Sequence, residues 1–103
     1  MKYRFKSGRG KKVVISENET FERLGYEMLR EYNITPNHLY WFEFANGDMT
    51  NSASPLGPMN DGMGKVSIET KIKDRKLEIG EEMSLVYDSG DWKKKVKLDG
   101  IEK

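Results

Sequence analysis

The sequence predicts an α+β fold in which a single helix packs on a mixed, twisted β-sheet that ends in a C-terminal hairpin. Three observations carry that prediction. Two alternating segments open the chain, one amphipathic stretch of helical period follows, and several alternating or β-branched segments complete it. At 103 residues the chain is long enough for one domain with one core and too short for two.

Lys2 to Lys6 reads Lys, Tyr, Arg, Phe, Lys, which puts Tyr3 and Phe5 on one face of a strand and three cations on the other. Ser7, Gly8, Arg9 and Gly10 form a glycine-rich turn, and Lys12 to Ser16, with Val13, Val14 and Ile15, makes the second arm of a hairpin. Thr20 is a plausible N-cap for a helix over residues 20–32. Phe21, Leu24, Met28, Leu29 and Tyr32 form its apolar stripe, and Thr35-Pro36 follows its end. In HLYWFEF, residues 38–44, Leu39, Trp41 and Glu43 alternate against Tyr40, Phe42 and Phe44, so a largely buried strand is expected. Residues 46–64 are dense in Gly, Asn, Ser and Pro and read as one long flexible loop. Lys65 to Lys73 alternates Val66, Ile68, Thr70 and Ile72 and is expected to be a further strand. Met83 to Tyr87 and Trp92 to Leu98 are the arms of a closing hairpin, joined by Asp88, Ser89, Gly90 and Asp91. In order and spacing these elements resemble the ubiquitin-like β-grasp, an analogy of fold that does not fix function.

Composition excludes several classes of function. The chain has no cysteine and one histidine, so no disulfide framework, thiol nucleophile, zinc-thiolate site or poly-histidine metal cluster can be built from it. It contains no apolar run of membrane-spanning length and no hydrophobic stretch of signal-peptide length, so a cytoplasmic protein without membrane contact is expected. The formal net charge is only +1, but residues 1–15 carry six bases and no acid, and the last twelve residues are again net basic.

Those basic ends hold the main candidate site. Lys93, Lys95 and Lys97 project from one face of the last strand as Lys2, Arg4 and Lys6 do from the first. If the two strands are neighbours, six cations share a surface suited to nucleic-acid phosphates. The alternative is a solvated face whose lysines discourage edge pairing. Tyr3 and Phe5 point the other way and offer no base stacking. His38 could shuttle protons or bind metal, or simply hydrogen-bond to backbone. Asp88 and Asp91 could hold a cation with loop oxygens from Asp48, Asn51, Asn60 and Asp61, or serve only as turn residues. SGRGKK lacks the phosphate-loop spacing and joins two strands, so it is a hairpin turn.

Three stretches together resemble the plasmid pRiA4b open-reading-frame-three-like family, which includes passenger proteins of insertion elements. They are TFERLGYEMLREYNITPNHLYWFEF, MSLVYDSGDW and KKKVKLDG. His38, Leu39, Tyr40 and Phe42 or Phe44 match an HLY-x-F strand. Tyr87, Asp88, Gly90, Asp91, Trp92, Val96, Leu98 and Asp99 match a YDFGD-like motif and the strand after it. Ser89 replaces the usual aromatic, one residue is missing before Trp92, and Lys94 stands where the family has histidine. The resemblance implies an uncharacterised microbial protein linked to mobile elements, with no established reaction. The resulting expectation is a non-enzymatic binding module with no cofactor, no catalytic residue and no metal, and nucleic acid as the favoured partner. The alternatives are a protein-interaction module that uses residues 46–64 and a metal-assisted enzyme built on His38, Asp88 and Asp91.

Overall fold

The computed structural model describes residues 1–59 and 64–103. Seven strands and one α-helix follow one another as β1 (Lys2–Ser7), β2 (Lys11–Ser16), α1 (Phe21–Glu31), β3 (Tyr40–Phe44), β4 (Ala53–Ser54), β5 (Gly57–Pro58), β6 (Glu82–Tyr87) and β7 (Trp92–Glu102). They form one sheet in the order β2-β1-β7-β6-β3-β4-β5. Every pair of neighbours runs antiparallel, so the expected mixed sheet is corrected to an antiparallel one. The only parallel contact among the described residues is an isolated bridge between Thr50 and Val66. The first and last strands are neighbours and run antiparallel. No helix among the described residues is long and apolar enough to cross a membrane.

Strand alternation sorts the side chains onto two faces. Tyr3, Phe5, Val13, Ile15, Phe42, Phe44, Leu85, Val96 and Leu98 point inward and meet Phe21, Leu24, Met28 and Leu29 of α1 in one core. The helix begins where the sequence expects it. Thr20 is extended, and its hydroxyl accepts the Arg23 N–H. A mid-helix glycine is normally a cost, but Gly25 lies under the ring of Tyr40, where a Cβ would sit 2.6 Å from Tyr40 Cε2. The glycine lets the helix approach the sheet.

Residues 65–73 are not the strand their alternation predicts. The apolar alternation is real, since Ile68 and Ile72 are buried, but the backbone pairs with loops and a helix end instead of a strand ladder. Phe21 N–H donates to the Thr70 carbonyl and Glu22 N–H to the Ile68 carbonyl, while Ile72 N–H returns to the Glu19 carbonyl. Orphan donors of the first helical turn are thereby satisfied from far along the chain. Ile72–Arg75 forms a short 3-10 turn.

The segment 46–64, read as one long loop, contains β4 and β5 in its described part. Thr50, Ser52 and Ala53 are buried there, and the Thr50 hydroxyl accepts the Phe42 N–H. A one-turn hairpin of two-residue strands has too little periodicity to register as strand in a sequence. Asn60 and Asp61, expected as loop oxygens, lie outside the described residues.

Candidate functional site

The helix covers one face of the sheet, and the other face carries the basic side chains. The register of β1, β2 and β7 sets their arrangement. Lys6 lies opposite Lys12 of β2 on one side and Lys97 of β7 on the other, so three lysines form one row across adjacent strands. Like charges placed directly opposite one another destabilise a sheet. Lys95 and Lys93 continue the same face along β7, and all of these lysines are exposed. Among the described residues, Lys12, Lys95 and Lys97 make no ion pair; Lys93 Nζ lies 2.9 Å from Glu43 Oε1.

The six cations expected on one surface, Lys2, Arg4, Lys6, Lys93, Lys95 and Lys97, are indeed carried on two neighbouring strands, but they do not act as one charge. The register between β1 and β7 shifts between Arg4 and Phe5, where Phe5 pairs with Leu98 and Arg4 with Gly100. Asp99 is the extra residue of this bulge. Its carboxylate accepts Arg4 Nε at 2.8 Å and lies 3.4 Å from Lys6 Nζ, while Glu102 accepts Arg4 Nη1 at 3.0 Å. The Arg4 guanidinium holds the Asp99 carboxyl below its usual range, with Lys6 adding to the effect. Gly100 leaves room for the clamp, since a Cβ there would lie 2.5 Å from Arg4 Nη2. Lys2 faces Glu102 in the register. The Lys2–Arg4 end is therefore internally neutralised, while at the other end Lys6 shares Asp99 with Arg4, Lys97 faces Glu82 in the register, and Lys12 and Lys95 make no ion pair among the described residues.

One neighbour of this end was not singled out from the sequence. Trp41 shares the outer face with Glu43, because Tyr40, Phe42 and Phe44 occupy the core face of β3. Its indole N–H donates to Glu43 Oε2 at 3.3 Å, so Trp41 and Lys93 bind the two oxygens of one carboxylate. Lys93, ahead of the indole, is the main cause holding the Glu43 carboxyl below its usual range. Beneath them Val86, paired with Trp41 on one side and Lys93 on the other, is only 2% exposed although it lies outside the main core. The signal was the alternation of β3, which places Trp41 opposite in face to Phe42.

The residues matched to the family motif converge only in part. His38 Nδ1 stands 3.6 Å from Asp88 Oδ1, and its ring meets Tyr87 edge-on with centroids 5.8 Å apart. Tyr87 hydroxyl donates to Asn37 Oδ1 and accepts the Asn37 N–H. Trp92 packs edge-on against Tyr32 and Tyr87. Asp88 takes a left-handed conformation, φ 58°, and Gly90 follows at φ 98°, which closes the β6–β7 turn. Asp91 donates its N–H to the Asp88 carbonyl. Tyr40 is a core residue whose hydroxyl donates to the Glu22 carbonyl, and burial raises its pKa. These contacts build a turn and its packing. Among the described residues no three His, Cys, Asp or Glu side chains are grouped to hold a metal ion.

A groove of about 690 Å³ runs between α1 and the β4–β5 hairpin, lined in part by Arg23, Tyr26, Tyr40, Pro36 and Leu56. Leu56 at the hairpin tip is 98% exposed. Compared with protein-family models, curated proteins and solved structures, the chain matches none of them.

Proposed function

We propose that this chain is a small, non-enzymatic binding domain whose open sheet face holds the phosphates of a nucleic acid. The observation that carries the reading is the Lys12–Lys6–Lys97 row, continued by Lys95, on a face the helix leaves uncovered. A row of like charges costs stability, and a polyanion that releases its counterions on binding offsets that cost. The resemblance in sequence motifs supports a cytoplasmic microbial protein of the mobile-element-associated kind, and the order hairpin, helix, strand at the start of the chain supports a β-grasp-like relationship. His38, Tyr87, Asp88, Gly90, Asp91 and Trp92 serve in this reading to fix the start of β7.

The test is a mobility shift with DNA and RNA across a salt titration, comparing the wild type with the triple variant Lys93→Glu, Lys95→Glu, Lys97→Glu. The wild type should lose affinity steeply as salt rises, and the slope for single strands should shrink by about 2 in the variant, three contacts at about 0.7 each. No shift for the wild type even at low salt would sink the reading.

The exposed Leu56 favours a second reading, in which residues 46–64 dock a protein partner.

A further inference from the structure

We infer that the nucleic acid taken by this face is a single strand, with one base stacked on Trp41 and its backbone running over Lys93, Lys95 and Lys97 toward Lys6 and Lys12. The inference rests on the phosphate-binding reading above and adds the class of nucleic acid.

Every other aromatic side chain of the sheet strands belongs to the core side. Tyr3, Phe5, Tyr40, Phe42, Phe44 and Tyr87 are buried, and Trp92 is packed against Tyr32 and Tyr87. Trp41 alone stands among the cations of the outer face. It is also fixed there. Its ring lies on the β3–β6–β7 row with Val86 and Lys93, and its N–H is held by Glu43, which Lys93 grips from the other side. A bound strand would therefore find an indole whose freedom is already restricted, beside an ammonium group.

From Trp41 on β3 the path crosses β6 to Lys93 on β7, follows β7 through Lys95 to Lys97, and crosses to Lys6 on β1 and Lys12 on β2. Two strand spacings, the run along β7 and two further spacings amount to roughly 10, 13 and 10 Å, and lysines mark all of it beyond the first step. A duplex keeps its bases stacked on one another and shows a protein its phosphates and base edges. An unpaired strand can give up one base to an aromatic ring while its phosphates follow the cations. The Trp41 end of the face meets the second requirement, and a duplex would leave that ring unused. The stacking platform reads no base edge, so weak sequence preference is expected.

The experiment measures fluorescence anisotropy with a labelled oligothymidine, the matching oligouridine and a hairpin duplex. It uses wild type, Trp41→Leu, which keeps an apolar cover over Val86 without an aromatic face, and Trp41→Phe, which keeps a smaller one. Circular dichroism and thermal melts establish that each variant is folded. Stacking of one base predicts that Trp41→Leu weakens single-strand binding between about 5-fold and about 100-fold, with an unchanged salt slope. Trp41→Phe should recover part of the loss, and the duplex should bind more weakly than either single strand and be indifferent to both substitutions. Single-strand affinity unchanged in Trp41→Leu, or a duplex bound as tightly as single strands, overturns the inference and leaves the phosphate reading standing. No binding in any arm overturns both.

Discussion

The two faces of this sheet are made by the same strands with alternate residues, yet they answer to different constraints. The inner face is close-packed against α1, and its tolerance is set by volume. Phe5, Phe42, Leu85 and Leu98 are fully buried, and the helix touches the Tyr40 ring through a glycine. The outer face has space, and its tolerance is set by charge. At one end Asp99 and Glu102 neutralise Arg4, and at the other Lys6, Lys12 and Lys97 stand side by side. The inner face thus decides whether the chain folds, and the outer face decides what the folded chain attracts.

The comparison breaks most sharply at Gly25. In an open helix, glycine to alanine gains up to about 1 kcal/mol. Here the new methyl would meet Tyr40 and Phe42 at 2.6 to 3.2 Å, so Gly25→Ala should instead lose about 1–3 kcal/mol in urea denaturation. A gain would show that the inner face is looser than its geometry. Acid probes the ion pairs of the molecule. The amino terminus holds Glu17 below its ordinary pKa, Lys93 holds Glu43, Arg75 holds Asp48 and Arg4 holds Asp99. Carboxylates held low contribute stability that is complete above about pH 5 and is lost as pH falls through the lowered values. Melting temperature should therefore be level at neutral pH and fall below that point. Asp99→Asn should flatten part of the fall, and an identical acid profile would show that the clamp carries no stability. The smallest effect is expected at Lys12. Lys12→Thr removes one like charge from the row and should raise stability by about 0.2–1 kcal/mol while weakening the nucleic-acid binding proposed above. Loss of both would mean that the lysine supports the strand through its stem.

Alternation made most of the fold legible. Lys2 to Lys6, Val13 to Ile15 and the 38–44 segment announce their faces, and the helix from Phe21 is marked by its cap and stripe. What alternation could not carry was the bulge. Whether Asp99 faces the core or the lysines depends on one residue of register against β1, which Arg4 and Gly100 fix only once the two strands are paired. Residues 65–73 misled for the opposite reason. Their period is that of a strand, because Ile68 and Ile72 do face the core, but their carbonyls were needed at the helix start. Trp41 was legible in position and overlooked in role, since its meaning comes from Lys93 and Glu43 on its own face.

That use of Thr70 and Ile68 carbonyls has a consequence for a chain being made from its N-terminus. The first turn of α1 keeps unpaired N–H groups until residues 68–70 have left the ribosome, and β1 lacks its inner neighbour until β7 follows. Early contacts would be limited to the β1–β2 hairpin and a frayed helix, with loop closure over most of the chain still ahead. Folding would then wait until β7 has been made, and the lysine row would come into being only when Lys97 arrives beside Lys6.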